Sequence, residues 1–127
     1  MSTTPQSLVQ TSDRQTATLR VAVATKGGGV VNQHFGHASQ FEIYDVSSTQ
    51  AKLVEVRAVN AYCHGKNDEP GDLGEILDIL SDCKAVLTSR IGDNPGDRLR
   101  QAGIEPVQVY EVIETALFDL HEQWNRT

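Results

Sequence analysis

Two histidines three residues apart, His34 and His37, sit in the segment Asn32-Gln33-His34-Phe35-Gly36-His37, together with one aromatic ring and one glycine. Neutral imidazole is the commonest side-chain ligand for transition metals. On an irregular loop both rings can be aimed at one point, and Gly36 lets the backbone come close to whatever is held there. The same spacing also suits a plainer arrangement, in which His34 hydrogen-bonds within the loop and His37 is simply exposed. A second segment, Tyr62-Cys63-His64-Gly65, adds a thiol and a third imidazole. A Cys63 thiolate is a soft donor, suited to iron–sulfur species or zinc rather than to hard cations. His34, His37, Cys63 and His64 together would make a mixed metal-ligand set. The alternative for Cys63 is a half-buried loop thiol.

Other positions carry weaker signals. Lys26-Gly27-Gly28-Gly29 resembles a phosphate cradle in composition, but it leads into Val30-Val31-Asn32 and not into a helix. A phosphate loop needs the free N–H groups of a helix start. The glycines therefore read as shaping the loop beside the histidines, with Lys26 as a nearby positive group. Arg90-Ile91-Gly92-Asp93-Asn94 falls where a strand gives way to a helix. There Arg90 and free N–H groups can attract an anion, or Asp93 or Asn94 can simply cap the helix. Cys83 follows an apolar helix and precedes a core strand, which reads as packing. His121 has no ligand partner one helical turn away and reads as a surface residue.

Elements that would hold these residues are visible in the hydrophobic pattern. Leu19–Thr25 is a nearly unbroken apolar run, as expected of a central strand covered on both faces. Phe41–Val46 and Leu53–Val59 follow as strands, and in the latter Glu55 and Arg57 alternate with Val54, Val56 and Ala58 to suggest one wet face. The period then changes. Asp72 and Glu75 form a capping box ahead of Leu73, Ile76, Leu77 and Leu80 at helical spacing. Ala85–Leu87 reads as a buried strand. Asn94-Pro95 opens a helix that Gly103 and Pro106 close, Val107–Val109 is a last strand, and Ile113 to Trp124 is an amphipathic helix. The order β-β-β-α-β-α-β-α predicts an α/β fold with a ribonuclease-H-like layout: a five-stranded mixed sheet with about three helices. Residues 1–18 are polar and read as a flexible tail, leaving 19–127 as one domain.

Bulk composition narrows the function. The chain has 127 residues, 39% hydrophobic and 22% charged, as a single globular domain should. A net charge of −6 argues against a nucleic-acid partner, because phosphate backbones are bound by Lys and Arg in excess. The first strand carries no acid, which disfavours a two-metal nuclease built on this layout. No apolar run approaches the roughly 20 residues that cross a bilayer, and the N-terminus lacks a basic start followed by an apolar stretch. No membrane association and a cytoplasmic location are expected. In a reducing compartment Cys63 and Cys83 should be thiols.

The segments VAVATKGGGVVNQHFGHASQFEIYDV, AYCHG, LSDCKAVLTSRIGD and AGIEPV resemble the nitrogenase iron–molybdenum cofactor biosynthesis family, which includes NifX, the core of NafY and the C-terminal domain of NifB. The resemblance runs from about residue 19 to the closing helix. It implies a ribonuclease-H-like domain that binds an iron–sulfur cofactor precursor, or the finished iron–molybdenum cofactor, as cargo. Its partners would be the nitrogenase assembly proteins, a scaffold and a NifB-type enzyme. On this resemblance His34, Phe35, Gly36, His37, Cys63, Lys26 and Arg90 are the cofactor-binding candidates. A CxxxCxxC motif of the radical-SAM kind does not occur, so the resemblance implies a carrier and not an enzyme. The alternative is a protein-docking or regulatory module of a NifB-type enzyme, without cluster binding of its own.

Overall fold

The computed structural model describes residues 18–59 and 73–126. Five strands form one sheet in the order β3-β2-β1-β4-β5, with β1 Leu19–Ala24, β2 Gln40–Val46, β3 Ala51–Ala58, β4 Ala85–Thr88 and β5 Glu105–Gln108. β1 and β2 pair antiparallel, as do β2 and β3, whereas β1–β4 and β4–β5 are parallel. Helices α1 (Leu73–Ile79), α2 (Asp93–Gln101) and α3 (Ile113–Arg126) complete the domain. This is the ribonuclease-H-like mixed sheet that the element order predicts.

β1 explains the layering. Its side chains alternate between two faces, and both faces are covered. Ala22 and Ala24 pack with Phe35, Phe41, Ile43 and residues of α1 and α2. Leu19, Val21 and Val23 pack with Val46, Leu87 and the Ile113, Ala116 and Leu117 face of α3. A strand buried on both sides has no position for a polar residue except at its end. Arg20, the one half-buried residue of the strand, lies there and is bidentate to Asp45 at 2.8 and 2.9 Å.

Several expectations change. β3 has no buried face: Leu53, Val54 and Val56 are 48%, 40% and 49% exposed. Among the described residues it is the outermost strand, and alternation in a sequence does not reveal whether a helix covers it. β5 starts at Glu105 and contains Pro106, which an edge strand tolerates because one side of its ladder is unpaired. α2 begins at Asp93, one residue before the expected start. Its N-cap is Gly92, so neither Asp93 nor Asn94 occupies the N-cap position. His121 is 2% exposed, not a surface residue. It follows Leu117 by one turn on the inner stripe of α3, and its ring centroid lies 5.4 Å from that of Trp124. Cys83 is buried as expected, and loss of solvation pushes its thiol pKa up to about 12. Asp72, Cys63 and His64 fall outside the described residues. Among the described residues, no helix is long and apolar enough to cross a membrane.

Candidate functional site

β1 and β4 are adjacent and parallel, yet the chain leaves their C-terminal ends in opposite directions, to β2 on one side and to β5 on the other. In open α/β sheets such a divergence leaves a crevice between the two departing loops, and ligands bind there. The histidine segment is the loop after β1. Arg90 lies in the loop after β4.

The two loops are knit together by backbone. The Phe35 N–H donates to the Arg90 carbonyl at 2.9 Å, and the Ser89 N–H donates to the Gln33 carbonyl at 3.0 Å. Thr88, fully buried, adds its hydroxyl between the Gln33 and Arg90 carbonyls at 3.0 and 3.1 Å. Phe35 opens a single 3-10 turn, Phe35–His37, and its ring enters the core 5.8 Å from the Phe41 ring centroid. At 1% exposure it anchors the turn from below and does not face the pocket. His34 and His37 flank it and project outward, both exposed. Their rings are nearly parallel, with centroids 5.2 Å apart and 19° between planes. The turn therefore sets two imidazoles side by side on a backbone tied to the loop after β4.

A shallow pocket of about 220 Å³ lies between the loops, lined by His34, Gly36 and His37 on one side and by Arg90, Gly92 and Pro95 on the other. Two residues with borderline nitrogen donors thus line one side and one arginine the other. That combination suits a metal-containing anion: imidazole for the metal, Arg90 and the start of α2 for the charge. Among the described residues, no three His, Cys, Asp or Glu side chains converge as a complete metal-binding group.

Lys26 stands apart from this pocket. Its glycine loop is closed by Thr25, whose hydroxyl donates to the Val30 carbonyl at 2.7 Å, and by Asn32, whose side-chain oxygen accepts from the Lys26 N–H at 2.7 Å. Gly27, Gly28 and Gly29 have φ of 110°, 80° and 74°, a run only glycine adopts without strain. The loop leans towards α3, where the Ile113 N–H donates to the Gly29 carbonyl at 2.9 Å. Sequence reasoning missed Thr88 and Gln33, which join the two loops. A buried threonine at the end of an apolar strand was the available signal.

A family model described as "Dinitrogenase iron-molybdenum cofactor" matches residues 17–123. A FeMo cofactor biosynthesis protein NifB from Frankia alni is 50% identical over 103 residues, covering 79% of this chain and 20% of its own length. The NifB of Herbaspirillum seropedicae is 47% identical over 114 residues, 88% of this chain and 22% of its own. The chain thus spans about one fifth of the length of these relatives. Among solved structures, the apo form of the orange protein from Desulfovibrio gigas shares the fold. It has a TM-score of 0.61 and 23% identity, over 85% of this chain and 91% of the other.

Proposed function

The chain belongs to the dinitrogenase iron-molybdenum cofactor family, and on that premise we propose that it binds an iron–sulfur cofactor precursor, or the finished iron–molybdenum cofactor, as cargo. Relatives named as FeMo cofactor biosynthesis proteins support a role in that biosynthesis. In this reading the domain carries or delivers the cluster among nitrogenase assembly proteins and performs no catalysis of its own.

The observation that carries the proposal is the paired, outward-facing imidazoles of His34 and His37 across a pocket from Arg90. The imidazoles would ligate iron at one end of the cluster while Arg90 offsets its negative charge. Gly36 leaves room for close approach, and Phe35 holds the turn rigid from the core. Lys26 would contribute at longer range.

Cys63 is the candidate third donor. The Val59 N–H donates to the Ser39 carbonyl at 2.9 Å, so β3 ends beside the residue two positions after His37. Cys63 and His64 follow β3 in the sequence, and both lie outside the described residues.

The test is anaerobic. The purified chain is mixed with isolated iron–sulfur cofactor precursor, passed over a sizing column and assayed for co-eluting iron. Wild type should carry iron and His34→Ala/His37→Ala should not. Equal iron on both would move the site to Cys63. No iron on either would sink the carrier reading and leave a docking module.

A further inference from the structure

One peptide unit of the candidate site is held by three different elements. The carbonyl of the Arg90–Ile91 peptide accepts from the Phe35 N–H, in the loop after β1, at 2.9 Å. It also accepts from the Thr88 hydroxyl, at the end of β4, at 3.1 Å. The N–H of the same peptide, that of Ile91, donates to the side-chain oxygen of Gln108, the last residue of β5, at 3.1 Å. A backbone N–H can only donate, so the amide oxygen of Gln108 is the group turned to it. Resting on the carrier reading, we propose that Gln108 is a positioning residue of the site: it completes the grip on this peptide and so sets the direction in which Arg90 is presented to an anionic cargo.

A trans peptide is planar and rigid. Held at its carbonyl alone, it can still rock about that end, and the Arg90 side chain swings with it. Held at its N–H as well, it turns only by breaking a hydrogen bond at one end or the other. The backbone is the main guide for this side chain. Arg90 lines the pocket opposite His34 and His37, and among the described residues no ion pair holds its guanidinium. Ile91 adds a further constraint, since its side chain packs against the core cluster that contains Phe35, Ile76 and Leu99.

The sheet is what brings Gln108 to this loop. β4 and β5 run parallel with Thr88 paired to Gln108, and the Val109 N–H donates to the Thr88 carbonyl at 2.9 Å. Gln108 therefore stands beside the point where the chain leaves β4 for the Arg90 loop. Side-chain length then decides the contact. Asparagine, one methylene shorter, draws the oxygen back by roughly 1 Å, beyond hydrogen-bond distance. The bond is exposed, so its donor can turn to water when the acceptor is lost, and its share in overall stability is small. Its effect lies in where it holds the loop.

A double-mutant cycle on the full chain tests this, read by iron that co-elutes with the protein after anaerobic mixing with isolated cofactor precursor. Gln108→Leu keeps the size and removes the acceptor. It should lower the retained iron about threefold, the scale of one exposed hydrogen bond, and Gln108→Asn should do the same. Arg90→Ala leaves both histidines in place, so iron remains measurable. In that background Gln108→Leu should cost nothing further, because a positioning residue acts through the group it positions. A purely structural role predicts the same loss in both backgrounds. A second measurement needs no cargo: Gln108→Leu should speed hydrogen exchange at the Phe35 amide and shift the Arg90 Nε signal, and Gln108→Glu, which keeps an acceptor, should restore both. A wild type that binds no iron would sink the carrier reading, and the exchange measurement would still decide whether Gln108 governs the Arg90 peptide. Equal loss in both backgrounds, no loss in either, or a Phe35 amide and Arg90 signal that Gln108→Leu leaves unchanged, overturns the assignment.

Discussion

Thr88→Val separates what holds the two site loops together from what holds the fold. Thr88 is fully buried, and its hydroxyl lies 3.0 Å from the Gln33 carbonyl and 3.1 Å from the Arg90 carbonyl. Valine keeps the shape and removes the hydroxyl. Neither carbonyl is orphaned, because Gln33 still accepts from Ser89 and Arg90 still accepts from Phe35. The penalty for a stranded buried acceptor is therefore avoided. What is lost is one hydroxyl hydrogen bond shared between two acceptors, about 1 kcal/mol net. For a domain of this size that lowers the melting midpoint by about 4 °C. Thr88→Ser is the control: it keeps the hydroxyl, loses a buried methyl, and should cost about 1 kcal/mol for that other reason. With stability matched, urea unfolding should not distinguish the two variants, whereas iron co-elution with the cluster precursor should. Thr88→Val loosens the histidine turn from the Arg90 loop and should carry less iron; Thr88→Ser should carry as much as wild type. Equal iron on both variants would refute the claim that this hydroxyl fixes the site, and an unchanged midpoint in Thr88→Val would refute the hydrogen-bond accounting.

Two further outcomes follow from the charged and thiol groups. The guanidinium of Arg57 holds the Asp82 carboxyl below the usual carboxylate range, and Arg20 does the same to Asp45. A depressed folded-state value gives stability that is fully present above the unfolded value, about pH 4, and lost as pH falls towards the folded value. Asp82 is 44% exposed, so solvent screening limits its share to about 1 kcal/mol. Asp82→Asn should lower the urea midpoint at neutral pH and flatten its fall in acid; a wild-type acid slope retained in full would count against this network. Cys83, 2% exposed and with its thiol pKa raised by burial to about 12, should resist a thiol reagent in the native Cys63→Ser chain and react once urea unfolds it. Rapid native labelling would contradict its place in the core.

How far the sequence carried depended on whether a feature is local. β1 was legible because burial on both faces leaves no room for polar residues, and a short apolar run closed by glycines is the direct imprint of such a strand. The histidine turn was legible in residue types, and Phe35 shows why its spacing matters: the aromatic between the two imidazoles is the one that enters the core. Long-range pairing was not legible. Nothing local in Gln33 or Thr88 marks their meeting, 55 residues apart, and nothing in Val30 marks its bridge to Val112. β3 shows the same limit in reverse. Its alternation is real, yet exposure there is decided by how many helices the sheet carries and where they lie. His121 could have been read correctly, since it continues the stripe of Leu117 on α3 at helical spacing. The absence of a ligand partner one turn away says nothing about which face of a helix a histidine occupies, whereas periodicity does.

On the carrier reading, the contrast between a pinned backbone and exposed donors bears on how cargo would be held and released. Phe35 and Thr88 fix the turn before any ligand arrives, so binding would cost little ordering of the chain. The two imidazoles, in contrast, stand at the rim of a pocket of only about 220 Å³, and most of any larger ligand would remain outside it. Exposed histidine ligands can be displaced one at a time by an acceptor protein approaching from solvent, without opening the fold. Affinity would then be set by how many donors engage at once. A third donor from the 60–72 segment would raise the affinity without touching the pinned turn. Loss of one imidazole should accordingly weaken retention of iron by less than loss of both, and Cys63→Ser should weaken it further only while both histidines are present.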